Sequence, residues 1–273
     1  MRILVTNDDG IDGAGLHVLA RRLTALGDVV VVAPDREYSG ASAALGALHI
    51  IRPEVRPAKI EGVAEAWSIS GPPALCVTFA RLGLFGGSFD LVAAGINPGA
   101  NTGRAIYHSG TVGAAITARN GGIPGLAVSQ DVAGDDVEGQ GYGDQILGQK
   151  WDTAAEVAAR VAEAMLDDPG DEAAVINVNV PNLEVDELVG WKRATIAHMP
   201  TRAILNASLV PKPGHDEVYD VKMDWGDPVD LPPETDSGAV ENGFVTLSAI
   251  TRITEDPSVD LSAVTAKLDQ VLG

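Results

Sequence analysis

The stretch Ile3-Leu4-Val5-Thr6-Asn7-Asp8-Asp9-Gly10 is a short run of β-formers that stops abruptly in an amide, two adjacent carboxylates and a glycine. Such a run reads as a buried strand delivering polar groups to the carboxyl edge of a sheet. Open α/β sheets bind their ligands at that edge. Neighbouring carboxylates repel each other, and a bound divalent cation relieves the repulsion. Asp8 and Asp9 therefore predict a metal site at the end of the first strand.

Outward from this point, apolar runs alternate with helix-like segments, the pattern of βαβ units and a mainly parallel sheet. Strands are expected at residues 2–6, 28–33, 48–52, 66–70, 91–94, 126–129, 174–178 and 244–250. Helices are expected at 16–26, from Pro72 and Pro73 to about 82, and at 113–120, 151–166 and 258–272, since proline suits a first helical turn. Residues 131–148, rich in Gly, Asp and Gln, read as an exposed loop. Residues 1–199 are expected to form the catalytic core, and 200–273 an extension whose strand at 244–250 can rejoin it. Within that extension, 200–233 is broken by Pro and Gly and reads as a long hairpin or an arm packing on a partner subunit. The terminal helix carries Leu261, Val264, Leu268, Val271 and Leu272, which need a surface to cover.

The chain has 273 residues, a formal charge of −19 and one cysteine. Such acidity argues against a nucleic-acid polymer as partner, because a duplex needs a basic footprint. A small phosphorylated substrate remains open where a metal or arginines override the field locally. Cys76, in an apolar stretch, is expected to be a small core residue. One cysteine excludes an intramolecular disulfide and fits a reducing compartment. With no basic, apolar leader and no apolar run near ~18 residues, a cytoplasmic protein without membrane contact is expected.

Three strand-end loops carry the chemistry. The first is Asn7-Asp8-Asp9-Gly10. The second runs from Pro34-Asp35-Arg36-Glu37-Tyr38 through Ser39-Gly40-Ala41-Ser42. The third is Gly95-Ile96-Asn97-Pro98-Gly99-Ala100-Asn101-Thr102-Gly103. In a doubly wound sheet the first strand is central and a later one flanks it across the switch point, so these loops converge. Two carboxylates, a Ser hydroxyl and an Asn carbonyl suit a hard cation such as Mg²⁺ or Mn²⁺. Ser109-Gly110-Thr111 precedes an alanine-rich helix and reads either as a phosphate cradle or as an ordinary helix cap.

Two rival chemistries fit less well. Gly10, Gly13 and Gly15 before a helix, with Asp35 about 20 residues on, only approximate a dinucleotide fingerprint, and Asp8 and Asp9 would sit where a pyrophosphate needs N–H groups. An aspartyl-phosphate phosphatase pairs its carboxylates two apart, facing the same way along the strand. Here they are adjacent.

Taken together, Asn7-Asp8-Asp9-Gly10, Ala33-Pro34-Asp35-Arg36 with Ser39-Gly40-Ala41-Ser42, Gly95-Ile96-Asn97 with Asn101 and Gly103, and Ser109-Gly110-Thr111-Val112 resemble the SurE (survival protein E) family. Asn177-Val178-Asn179-Val180-Pro181 and Thr235-Asp236 with Ala239 and Gly243 extend the resemblance to about residue 250. It implies a Rossmann-like, three-layered α/β fold. The implied activity is hydrolysis of nucleoside 5′- and 3′-monophosphates with one divalent metal ion, Mg²⁺ or Mn²⁺, per subunit. The implied metal ligands are Asp8, Asp9, Ser39 and Asn97, with Asp8, Asp9 and Asn97 catalytic. The implied phosphate neighbours are Gly40, Ser42, Asn101, Ser109, Gly110 and Thr111. The resemblance further implies a homodimer or homotetramer built by exchange of C-terminal elements.

The chain also departs from the family's pattern. Gly71-Pro72-Pro73-Ala74-Leu75-Cys76-Val77 lacks a usual Thr and Asp; Thr117 stands where a glutamate is usual, His108 where a tyrosine is, and Arg104 follows Gly103. These changes bear on substrate choice more than on phosphomonoester chemistry. They leave open a phosphatase for another small phosphate ester, or a non-catalytic nucleotide- or metal-binding relative. His108 beside the cradle is a candidate acid for the leaving oxygen, Arg104 a candidate counter-charge, and His215 a residue that an exchanged arm would carry to a neighbour's site.

Overall fold

The computed structural model describes residues 1–50, 52–132 and 143–272. In chain order it runs β1 (Arg2–Thr6), α1 (Ala14–Leu23), β2 (Asp28–Pro34), β3 (Val55–Ala58), β4 (Glu65–Ile69), α2 (Pro73–Arg81), β5 (Leu91–Pro98), α3 (Ala105–His108), α4 (Gly110–Asn120), β6 (Gly125–Gln130), α5 (Trp151–Asp167), β7 (Val175–Val180), β8 (Gly190–Arg193), β9 (Ile204–Pro211), β10 (Tyr219–Trp225), α6 (Asp236–Glu241), β11 (Phe244–Ala249) and α7 (Ser262–Leu272). Short 3₁₀ turns occupy Gly143–Gly148 and Val185–Glu187.

Nine strands form one sheet in the order β3-β4-β2-β1-β5-β6-β7-β11-β8. The six from β4 to β7 are parallel throughout. Beyond them, β3 and β11 run antiparallel to β4 and β7, and β8 pairs parallel with β11. Successive residues of a strand face opposite sides of the sheet, and both sides are covered here. Ile3 and Val5 pack with Leu16, Leu19 and Leu23 of α1 and with the alanines of α5. Leu4 packs with Leu75 of α2 and with Ala114 and Ala118 of α4. Burial on both faces explains why β1, β2 and β5 read as continuous apolar runs rather than alternating ones. Cys76 lies fully buried in the second cluster, and desolvation pushes its thiol up.

The expected strand at 48–52 is corrected. Leu48 and Ile50 sit in turns, 42 % and 73 % exposed, and residue 51 lies outside the described residues. The edge strand is instead Val55–Ala58. An edge strand with one partner and little core contact need not be apolar, and it tolerates Pro57. The short α3, β8 and α6 were not anticipated, and of the expected loop at 131–148, residues 133–142 lie outside the described residues. No described helix is long and apolar enough to cross a membrane.

The segment expected as a hairpin or arm holds the antiparallel pair β9 and β10, whose side chains are almost all exposed. β11 enters the main sheet between β7 and β8. Arg119, 6 % exposed, donates to the carbonyls of Ile250 and Thr251 where the chain leaves the sheet. Beyond that point the chain is exposed, and every side chain of α7 faces solvent.

Candidate active site

β1 lies between β2 and β5, the switch point of the sheet, and all three deliver their carboxyl ends to one edge. The loops that follow them are locked together by main-chain hydrogen bonds. Tyr38 N donates to Asp8 O at 2.7 Å, and Ile11 N to Pro34 O at 2.8 Å. Gly10 has φ +101°, and a Cβ there would come within 3.1 Å of the Arg36 backbone, so glycine permits both the turn and the approach of the second loop. The Asn7 amide braces the turn by donating to Gly10 O at 2.9 Å, with a longer contact to Asp9 Oδ2 at 3.4 Å.

Asp8 is 2 % exposed and faces the start of α4. Thr111 Oγ1 donates to Asp8 Oδ1 at 2.5 Å, and Thr111 N donates to Oδ2 at 3.2 Å. A Cβ on Gly110 would meet Asp8 Oδ2 at 2.8 Å, so this helix start approaches the carboxylate closely. The positive end of a helix favours an anion at that position. Burial nevertheless raises the Asp8 carboxyl above its ordinary range; the bond from Thr111 opposes the rise and the charge of Glu37 adds to it. The Asp9 carboxyl is pushed well above the ordinary range by burial first, then by the charges of Asp8 and Glu37. This pair is costly to ionise without a counter-charge.

The other expected residues fall around the pair. Ser39 is half-buried, its N–H donating to Glu37 Oε1 at 2.9 Å, and Gly40 lies on the exposed rim of the same loop. Ser42 adopts φ +52°, uncommon for a residue with a side chain, and its N–H donates to His108 O at 3.0 Å. The loop rests on α4 so tightly that a Cβ on Gly113 would overlap the Ser42 backbone. Ser109 is the N-cap of α4, accepting from Val112 N at 3.1 Å, so the cap reading holds for its hydroxyl. Asn97, 2 % exposed, sits where the β5–β6 register shifts between Ala94 and Asn97; its amide donates to Gly99 O at 2.7 Å. Such irregularities re-aim side chains beside active sites. Asn101 is tied toward β6 and β7, donating to Ser129 Oγ at 2.8 Å. His108, at the end of α3, and Arg104, just before its start, are exposed, and Thr117 bonds back to Gly113 O at 2.7 Å.

Sequence reasoning assigned no role to Ser129, Asn177, Asn179, Asp236 or Glu37. The alternation Asn177-Val178-Asn179 carried a signal, since residues two apart on a buried strand share one face. Among the described residues no three His, Cys, Asp or Glu side chains are placed together so as to hold a metal ion. A cation here depends on Asp8 and Asp9 with neutral oxygens around them, a donor set that fits a hard ion and not a soft one.

A family model described as Survival protein SurE matches residues 3–203. The 5′-nucleotidase SurE of Mannheimia succiniciproducens is 34 % identical over 254 residues, 92 % of each chain. The 5′/3′-nucleotidase SurE of Erwinia tasmaniensis is 35 % identical over 269 residues, covering 98 % of this chain and 94 % of that protein. The crystal structure of the SurE protein from Aquifex aeolicus superposes with a TM-score of 0.75 at 28 % identity, covering 98 % of this chain and all of the other. On this evidence the chain is a member of the SurE family.

Proposed function

We propose that this protein is a metal-dependent phosphomonoesterase that hydrolyses nucleoside 5′- and 3′-monophosphates to nucleoside and phosphate. The observation that carries the proposal is buried Asp8, bonded to the start of α4, beside half-buried Asp9 at the switch point, in a chain whose relatives bear nucleotidase names. In this reading Asp8, Asp9, Ser39 and Asn97 hold one Mg²⁺ or Mn²⁺ per subunit. When bound, the cation supplies positive charge that orients the phosphate and acidifies a water.

The chain's own groups do the rest. Thr111 fixes Asp8 through both its hydroxyl and its N–H, so this carboxylate is an anchored ligand. Asp9, held less tightly through the 3.4 Å contact from Asn7, is the carboxylate that takes the proton of the attacking water. Gly40, Ser42, Asn101 and Gly110 surround the phosphate, offering N–H and O–H donors to its equatorial oxygens as charge develops, while the Ser109 and Thr111 hydroxyls, engaged by the α4 cap and by Asp8, hold the turn in place. Exposed His108 and Arg104 flank this turn on the leaving-group side.

The proposal extends to assembly in the cytoplasm as a homodimer or homotetramer through residues 200–273. α7 presents Val264, Leu268, Val271 and Leu272 at 51–80 % exposure among the described residues. A groove of about 830 Å³ lined by Val157, Val161, Met165, Ile176, Trp191 and Leu247 offers a matching apolar surface. We take its occupant to be α7 of a second copy. Residues 252–261, which lead to α7, span up to about 33 Å when extended.

The test is phosphate release from a panel of nucleoside and non-nucleoside monophosphates, with Mn²⁺, with Mg²⁺ and with chelator. Turnover is expected for nucleoside monophosphates only with metal, and Asp8→Asn is expected to lose more than ~100-fold while keeping its circular dichroism. A fully active Asp8→Asn protein, or turnover undiminished by chelator, overturns the proposal.

A further inference from the structure

The loop that follows β5 is held by side chains from three separate parts of the chain. The Nδ2 groups of Asn177 and Asn179 on β7 both donate to the main-chain carbonyl of Asn101, at 2.8 and 3.2 Å. Asn101 Nδ2 in turn donates to Ser129 Oγ on β6. On the far side, Asp236 Oδ2 accepts from Gly103 N at 3.0 Å, and Ser237 Oγ donates to Thr102 Oγ1 at 2.9 Å. The second oxygen of Asp236 accepts from Ala197 N and Ser237 N, each at 2.9 Å. Asn177, Asn179 and Asp236 are all 0 % exposed.

Burying two amides and a carboxylate is unfavourable unless their bonds are made. Here those bonds converge on three consecutive residues, 101–103. The Oδ1 atoms of Asn177 and Asn179 are buried and have no hydrogen-bond partner among the described residues. The two amides are thus not optimised as internal glue; what they do in this structure is aim two donors at one carbonyl. Asp236 is likewise divided, one oxygen serving its own surroundings and the other serving the loop.

We propose that Asn177, Asn179 and Asp236 are positioning residues that hold the main chain of 101–103, and through it Asn101, against the phosphate of the substrate. The proposal rests on the phosphomonoesterase reading above. The bonds they make to the loop end on residues 101–103, next to the group that faces the phosphate, so their effect is expected on phosphate more than on metal.

Two substitutions test this in the full-length protein. Asp236→Asn can keep its carbonyl oxygen toward Ala197 and Ser237 while turning an NH₂ toward the Gly103 N–H, which releases the loop selectively. Asn177→Ser withdraws the shorter of the two bonds to Asn101 and removes an unpartnered buried oxygen with it. For each variant, KM for a nucleoside monophosphate and the inhibition constant of inorganic phosphate are expected to rise at least tenfold. Half-saturation by Mn²⁺ is expected to stay within twofold, and the melting midpoint of Asn177→Ser within a few degrees. A lowered midpoint with KM and phosphate inhibition unchanged means a purely structural role and overturns the proposal, as does parallel loss of Mn²⁺ and phosphate. Should Asp236→Asn fail to fold, Asn177→Ser decides alone. Wild-type protein that releases no phosphate from any monophosphate overturns the parent reading and this one with it; active wild type with unaltered variants overturns this one only.

Discussion

Replacing Thr111 by valine isolates the link between the start of α4 and the first carboxylate. The hydroxyl gives Asp8 its shortest hydrogen bond, 2.5 Å, and the 3.2 Å bond from Thr111 N remains after the change. Valine has nearly the same shape, so no cavity opens, and at 2 % exposure water does not replace the lost donor. A hydrogen bond to a charged group contributes about 1.5–3 kcal/mol, which corresponds to roughly 10- to 150-fold in kcat/KM. Because this bond opposes the rise in the Asp8 carboxyl, its loss favours the protonated form, so the acid limb of the pH–rate profile moves to higher pH. Phosphate release measured across pH and Mn²⁺ concentration reads both effects. The metal concentration for half-activity should increase while inhibition by inorganic phosphate changes little, and Thr111→Ser should restore most activity. Activity within threefold of wild type with an unmoved acid limb refutes the claim that Thr111 anchors Asp8. Weakened phosphate inhibition with normal metal response assigns Thr111 to the substrate instead.

Other perturbations have equally definite outcomes. Gly113→Ala should help the helix by up to about 1 kcal/mol on propensity alone, yet its Cβ overlaps the Ser42 backbone. The expected result is unchanged helical circular dichroism with at least tenfold lower activity, and full activity would mean that the second loop yields freely. Deleting residues 257–273 leaves β11 paired in the sheet and removes the uncovered helix. Sedimentation should show a smaller assembly than the full chain, and identical masses would rule out α7 as the contact.

The βαβ core was legible because both faces of its strands are covered, so each strand left an apolar run bounded by Pro, Gly or Asp. Edge and late elements were not. Val55-Arg56-Pro57-Ala58 pairs with β4 along one side only and carries no apolar signature. Gly190-Trp191-Lys192-Arg193 joins the sheet through β11, whose arrival depends on pairing distant in sequence. At the site, local motifs marked the residues that meet at the edge of β1. They could not separate the residue that binds from the residue that braces: Thr111 reads as part of a cradle, and only the fold shows it committed to Asp8. The same holds for Ser109, whose hydroxyl caps α4.

The tie from Asp236 to Gly103 has a consequence for biosynthesis. A ribosome releases Asp8 and Asp9 almost at once, yet the carboxylate that fixes the third loop lies 133 residues beyond that loop. At about 5–20 residues per second, roughly 10–45 s separate the emergence of the two ends of the site. The parallel core can begin to assemble during that interval, but the loop carrying Asn101 lacks its outer brace until α6 has left the exit tunnel. A nascent chain of this protein therefore passes through a stage in which the Asp8–Asp9 pair is present and the third loop is unbraced. On the positioning role proposed for Asp236, catalytic competence arrives with the last quarter of translation.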